Sequence, residues 1–538
     1  MTYLERTLKS GTLPWYQSAL LSGLFLGISF PTYPVFHFEI VAWIALVPLL
    51  VSLARVEKAA GLLRSVYLCM FLFCAISLWW VSIATLPGGI LTVFVQAFFL
   101  TVPMFIFYLL KKAAGFRFAL FSLPFVWVSW EWAYMQQDFS LGWLTLGNSQ
   151  ATLNYMVQYA DSTGVWGISF WVLWFNVLAV LALTGTRKEA LRALAVMGVM
   201  IVLPLVYASS VFRGNAVAPG AEARLRVTLV QPNIDPSQKW ERYNSSGIME
   251  RYYRMTDHAV RENRPELVIW PETAIPFHIL DNTYAGDFQQ LRGSLRKWNT
   301  ALLSGFSDIV YFPSGSHSRP YGDENAVSES YNASMLLLPG MPEPQVYHKM
   351  RLVPFGERVP YVELFPWLEK LNFSLAGLKS WGKGSETTIM RLDSRRYRKV
   401  LTCDIICYES IFPGLVSEFV RKGASFLTLV TNDGWYSTSY GPYQHLAIGR
   451  LRCIENRRAL ARCANTGVTA FIDKYGRTIS EIPWWREGSL TAEIPLETSL
   501  TLYTMYPDLL PKAALAVSVL LSFTAVVLSI RKSPRPSS

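Results

Sequence analysis

Eight apolar stretches restrict what this chain can fold into. They fall at about 15–30, 37–54, 65–86, 90–110, 116–134, 164–184, 191–211 and 511–530. A helix needs roughly 20 apolar residues to cross a bilayer, because no water is present there to satisfy exposed backbone groups. The first stretch is the shortest and ends at Pro31. Charged residues make up only 16% of the chain, against roughly 25% in an average soluble protein. Mean hydropathy is positive at +0.25. The expectation is a membrane protein that carries a soluble part.

Between about 212 and 510 the pattern changes. Runs such as LRVTLV, ELVIW, ALLSGF, ASMLLL and SFLTLV are too short to span and alternate with polar amphipathic stretches, as in an α/β domain. A chain of 538 residues also exceeds one ordinary core. The expected organisation is a transmembrane bundle over 1–211, a folded domain over 212–510, and a last helix with a basic tail over 511–538.

Loop charges orient the bundle. Arg55, Lys58 and Arg64 follow the second stretch, Lys111, Lys112 and Arg117 the fourth, Arg187, Lys188 and Arg192 the sixth, and Arg531, Lys532 and Arg535 the last. Connections near 31–36, 87–89 and 135–163 contain no Lys or Arg. Positive loops stay inside, so both termini are expected in the cytoplasm and 212–510 outside it. The same distribution accounts for the net charge of +11. No single basic patch and no zinc-finger, RRM or helix-turn-helix spacing is present, so nucleic acid is not an expected partner. The N-terminus lacks a small-residue cleavage site and reads as the approach to a first membrane helix, not a removed signal peptide.

The bundle itself holds two unusual features. Glu131, in VSWEWAY, is an ionisable group near the end of an apolar stretch. A functional role and a structural, interfacial role are both open. The segment 140–150 (SLGWLTLGNSQ) is expected at the outer interface, with Trp143 as an aromatic anchor. Of the six cysteines, Cys69 and Cys74 lie in an apolar stretch. Cys403, Cys407, Cys453 and Cys463 show no metal-ligand spacing, so no metal or other cofactor is expected; disulfides among them stay open.

Three segments of the domain share a layout, a strand-like run ending in a polar residue. In LVIWPETAIP, Glu272 directly follows a strand ending in Trp270 and Pro271. YHKMRLVPFGERVP offers Lys349 and Glu357, and CDIICYESIFPG offers Cys407 followed by Tyr408 and Glu409. A thiol, a carboxylate to take its proton and an ammonium to favour the thiolate suffice for acyl transfer. A lysine and a backbone N–H can hold the oxyanion. Spacing alone does not bring the three together, and each residue taken singly has a packing or capping alternative. His278, His348 and His445 are alternative bases, each in a different segment. Cys403 lies four residues before Cys407, on the same face if one strand carries both.

The order WPE, HKMRLVPFGE, CYE resembles the nitrilase superfamily, whose Glu-Lys-Cys triad sits on an αββα sandwich. More closely, VQPNIDPSQKW, LVPFGERVP, ICYESIFPG, TNDGWY and GPYQH resemble the apolipoprotein N-acyltransferase family, along essentially the whole chain. The resemblance implies a bundle of about eight transmembrane helices, with a nitrilase-like domain between the seventh and eighth. It implies Glu272 as general base, Lys349 as oxyanion-stabilising cation and Cys407 as nucleophile. Glu357, Tyr408 and Glu409 would support them. Trp240 would lie on the substrate side, and Asn432, Asp433 and Trp435 on a loop beside the site. That loop reads Tyr436-Ser437 where many family members read Phe-Gly.

The implied reaction takes an acyl chain from a phospholipid, phosphatidylethanolamine by resemblance. It passes through a Cys407 thioester to the α-amine of a diacylglyceryl-cysteine on an apolipoprotein, in the bacterial inner membrane. A monomer is expected. The segment 359–381, rich in Phe, Trp, Leu and Lys, has the composition of an interfacial arm and is either a lid or a packed loop. Two rivals are a membrane-tethered amidase and a transporter or lipoprotein-binding protein with an inactive domain. So much membrane sequence disfavours the first, and the presence of Glu272, Lys349 and Cys407 together disfavours the second.

Overall fold

A computed structural model describes residues 13–30, 37–214, 223–236, 245–312, 328–365, 367–368, 380–397 and 399–532. The chain divides into two compact units. One comprises Met1–Ser82, Leu86–Asn215 and Tyr506–Ser538; the other comprises Ile83–Thr85 and Ala216–Met505.

The first unit is helical. Its helices are α1 (Trp15–Ser29), α2 (Val47–Leu53), α3 (Ala59–Leu78), α4 (Val81–Ala84, divided between the two units after Ser82), α5 (Leu86–Ala114), α6 (Phe116–Met135), α7 (Ala160–Thr184), α8 (Arg187–Gly214) and, past the second unit, α14 (Leu509–Lys532). Among the described residues, five of these (α3, α5, α7, α8 and α14) are long and apolar enough to cross a membrane. The chain is therefore a multi-pass membrane protein. Eight spans are not reached on that count: α1 has only 15 residues, and the second stretch breaks into a 3-10 turn (Glu39–Trp43) followed by the short α2. In α6, Ser, Glu and Trp dilute the apolar run.

The segment 140–150 departs from expectation. It forms two 3-10 turns, Gly142–Leu144 and Leu146–Gln150, that are buried throughout. Trp143 packs on Trp80 with ring centroids 5.1 Å apart, so its ring is not presented outward as an anchor. Glu131 explains the inward fold, since its Oε1 accepts from Leu146 N at 2.7 Å and from Trp127 Nε1 at 3.0 Å. Those bonds satisfy one oxygen of a buried carboxylate that apolar surroundings would otherwise penalise.

Among the described residues the second unit holds two six-stranded sheets, neither closed into a barrel. Its strands are β1 (Arg224–Gln231), β2 (Leu267–Ile275), β3 (Ala301–Tyr311), β4 (Ser328–Leu337), β5 (Gln345–His348), β6 (Met390–Leu392), β7 (Val400–Ile406), β8 (Phe426–Thr431), β9 (Leu460–Ala464), β10 (Thr469–Ile472), β11 (Thr478–Ile482) and β12 (Gly488–Pro495). One sheet has the order β12-β1-β2-β3-β4-β5 and the other β11-β10-β9-β8-β7-β6. In each, three parallel strands form the centre and antiparallel strands flank them. The five apolar runs noted in the sequence become β1, β2, β3, β4 and β8. Strands β2 and β8 are buried at every position, which is why they read as unbroken apolar runs instead of alternating ones.

The two sheets meet through their central strands. The Cys463 thiol of β9 lies 3.4 Å from the Val230 carbonyl of β1 and 3.3 Å from the Ile269 carbonyl of β2. Helices α9 (Ser245–Asn263) and α10 (Ala285–Trp298) cover the first sheet. There Tyr252 and Trp270 stack at 4.7 Å in a core with Leu291, Leu295, Leu302 and Met335. Helices α11 (Pro413–Arg421), α12 (Gly441–Asn456) and the short α13 (Leu502–Met505) accompany the second sheet. All six cysteines are free.

Candidate active site

Three strands of the second unit, β2, β5 and β7, deliver the polar residues. Glu272 does not follow a finished strand, as the sequence suggested; β2 continues through it to Ile275. The pairing with β3 breaks between Trp270 and Ile275, and Thr273 takes a φ of +46°. Gly305 of β3 permits this. A Cβ there would lie 2.6 Å from Thr273 N and 2.7 Å from Glu272 Cα, so only glycine lets the two backbones approach.

Lys349 directly follows β5, as expected, and its backbone N–H donates to the Asn332 carbonyl at 2.9 Å. Its side chain is fully buried. The ammonium donates to Glu357 Oε1 at 2.7 Å and to Glu272 Oε1 at 3.2 Å. Glu357 is in turn held by Val353 N, 2.8 Å from its Oε2. Burial pulls the lysine pKa down, but the charges of Glu272 and Glu357 outweigh it and hold the ammonium well above its ordinary range.

Asn332, in the middle of β4, escaped sequence reasoning. Its amide donates to both carboxylates, to Glu272 Oε1 at 2.9 Å and to Glu357 Oε1 at 3.1 Å. The signal was an amide set in the otherwise apolar run YNASMLLL.

Cys407 leaves β7 with a φ of +51°, opening a short 3-10 turn over Cys407–Ile411. That turn breaks the strand alternation, so the expected same-face placement of Cys403 does not carry through to Cys407. Burial pushes the Cys407 thiol well up, and the charge of Glu272 adds to the shift; Lys349 opposes it, Asp433 adds further, and contact with the Thr431 hydroxyl opposes it. Glu272, Lys349 and Cys407 thus come within electrostatic reach of one another.

Glu409 ties two of the segments together. Its Oε1 accepts from Tyr347 Oη at 2.7 Å, Met350 N at 2.7 Å and Arg351 N at 3.2 Å, and its Oε2 from Ile406 N at 2.9 Å. One buried carboxylate therefore fixes the lysine segment against the cysteine turn. Tyr408 is buried edge-on against Phe412. Asn432 is buried and accepts from Asn465 at 3.0 Å, whereas Trp435 is half-buried in the turn Asp433–Tyr436. Trp240 lies outside the described residues, as do Pro366 and 369–379 of the proposed arm.

Of the three histidines, His278 faces the Ser307 carbonyl and His348 pairs with Asp308 at 2.7 Å. Only His445 touches the cysteine segment, through the Cys407 carbonyl.

Comparison with known proteins agrees in extent. Residues 226–501 match the carbon–nitrogen hydrolase family, and 22–178 match the apolipoprotein N-acyltransferase N-terminal domain. The apolipoprotein N-acyltransferase of Chlorobaculum tepidum is 56% identical over 94% of this chain and 96% of its own. That of Geobacter metallireducens is 30% identical over 93% of each chain. Among solved structures, Saccharomyces cerevisiae Nit3 of the nitrilase superfamily covers 55% of this chain and 94% of its own, at 18% identity and a TM-score of 0.36. Long apolar helices, a carbon–nitrogen hydrolase unit and a full-length relative at 56% identity leave one assignment: the chain belongs to the apolipoprotein N-acyltransferases, membrane enzymes of the nitrilase superfamily.

Proposed function

We propose that Cys407 carries an acyl chain from a phospholipid to the N-terminal cysteine of an apolipoprotein, with Glu272 as general base and Lys349 as the oxyanion partner. The observation that carries this reading is the fully buried Lys349 ammonium, bonded to Glu272 and Glu357 beside the thiol. The raised thiol pKa means that Cys407 rests protonated and loses its proton only as it attacks. Glu272 takes that proton while sulfur bonds to the ester carbonyl carbon. Lys349 faces the charge that develops on oxygen. The bond from the carbonyl carbon to the glycerol oxygen then breaks as the carbonyl re-forms, Glu272 returns the proton to the departing lysophospholipid, and a thioester remains.

In the second half, the α-amine of a diacylglyceryl-cysteine attacks the thioester. The carbon–sulfur bond breaks, and the surplus amine proton passes through Glu272 back to the thiolate. One shared covalent intermediate gives ping-pong kinetics. Both substrates keep their chains in the bilayer, since withdrawing each CH₂ costs about 0.8 kcal/mol. Phosphatidylethanolamine as donor, a monomeric state, an eight-span bundle, an αββα sandwich, and a catalytic domain outside the inner membrane with both termini inside belong to the same reading. The loop charges support its topology.

The test is mass spectrometry of full-length protein incubated with phosphatidylethanolamine. Wild type should gain one acyl chain on Cys407, while Cys407→Ser, Glu272→Gln and Lys349→Met should not accumulate that thioester. An acyl group mapped to another residue, or turnover of small amides with no adduct, would refute the assignment.

A further inference from the structure

A second polar group meets the cysteine turn from other elements. Thr431 ends β8, Asp433 begins the next turn, His445 lies in α12 and Arg462 in β9, and all four are buried. Arg462 Nη2 donates to Asp433 Oδ2 at 2.7 Å and approaches His445 Nδ1 at 3.2 Å. Thr431 donates to Asp433 Oδ1 at 2.9 Å, and that oxygen lies 3.1 Å from His445 Nδ1. The other ring nitrogen, Nε2, is 3.1 Å from the Cys407 carbonyl and 2.8 Å from Ser410 Oγ.

Proton counting fixes the direction of these bonds. The Cys407 carbonyl can only accept, and Ser410 already gives it its single hydroxyl proton at 2.9 Å. Nε2 must therefore carry a proton and donate it. Nδ1 either accepts from Arg462 or, if protonated, donates to Asp433, so the Nε2–H survives in both charge states. That N–H is shared between Ser410 Oγ at 2.8 Å and the Cys407 carbonyl at 3.1 Å, and Ser410 passes its own proton to the same carbonyl, so both routes end on the backbone of Cys407. Its φ of +51° is a left-handed conformation that a non-glycine residue keeps only when its surroundings impose it.

We infer that His445, braced by Asp433 and Arg462, is a positioning residue that holds the left-handed Cys407 backbone in the conformation from which its thiol attacks. The inference rests on Cys407 being the nucleophile. His445 bonds the Cys407 carbonyl and Ser410, which bonds the same carbonyl, and not the thiol, so its part is geometric and distinct from the proton transfer assigned to Glu272.

Full-length variants and phosphatidylethanolamine vesicles provide the test, read as the rate of Cys407 acylation. His445→Ala should slow acylation by about 10- to 100-fold, with KM for phospholipid unchanged. His445→Gln, whose amide nitrogen reaches the Nε2 position, should recover most of the rate, and His445→Asn, whose amide stops at the depth of Nδ1, should not. The pH midpoint of acylation should stay at the wild-type value in every variant. Wild-type acylation by His445→Ala would overturn the inference. So would equal impairment of the Ala and Gln variants together with a lowered melting temperature, which would mark a purely structural histidine. If wild type itself gains no acyl chain on Cys407, the nucleophile assignment fails; if it does and His445→Ala keeps pace, only the clamp fails.

Discussion

Lys349 bonds two carboxylate oxygens, and the Asn332 amide bonds the same two. Hydrogen bonds to charged groups contribute about 1.5–3 kcal/mol, so Asn332→Ala should cut the acylation rate by about 10- to 100-fold. Initial rates on phospholipid vesicles check this, and an unchanged rate would make Asn332 a bystander. Asp404, buried in β7, gives a second prediction. Burial pushes its carboxyl from 3.8 up to about 7, against the opposing bonds from Thr428 and Ser334. A folded pKa above the unfolded one means that the folded state binds the extra proton, so this group lowers stability as pH rises from about 4 to 7. Asp404→Asn should therefore raise folding stability at pH 8 by up to about 4 kcal/mol, seen as a higher melting temperature, and leave it unchanged at pH 4. A thermal shift equal at both pH values would contradict this. At this scale the polar breaks after apolar runs offered Glu272, Lys349, Glu357, Cys407 and Glu409 as candidates, and the family resemblance gave them their roles. The partners of Asn332 lie 25 and 60 residues away and those of His445 from 12 to 38, so the sequence shows an odd amide in YNASMLLL but not what either residue touches.

The strands show why some elements were legible and others were not. Runs buried on both faces, such as β2 and β8, stand out as continuous apolar letters. The short edge strands β5 and β6, with four and three residues, do not. The irregularity of β2 at Glu272 was read as a strand end because its cause, the close approach of Gly305, lies on the neighbouring strand. Gly305→Ala should force β2 and β3 apart and destabilise the unit by about 1–3 kcal/mol, with loss of acylation. Melting temperature and adduct formation measured on the same sample check both, and a variant that keeps both would leave the kink without its proposed cause. In the helical unit, the buried turns at 142–150 read as a surface segment because their Gly and Trp content suits an interface; only the bonds to Glu131 reveal that they fold inward.

At the scale of the whole molecule, the loop charges make a topological prediction. In a Cys407→Ser background, Asn282→Cys should react with a membrane-impermeant maleimide in intact spheroplasts. Thr186→Cys, beside Arg187 and Lys188, should react only after the membrane is opened. Both positions are exposed, so a silent site reports sidedness and not burial. The reverse pattern would invert the assignment. One further consequence lies in the pairing of β1 with β12. The first and last strands of the sheet unit run antiparallel from Arg224 opposite Pro495, and Leu496 N reaches back to the Ala223 carbonyl at 2.8 Å. The unit thus begins and ends at one point, like a loop drawn through a single knot. Such a module can be spliced into a hairpin connection of a host protein without stretching either party, and lengthening the strings outside the knot leaves every strand pairing untouched.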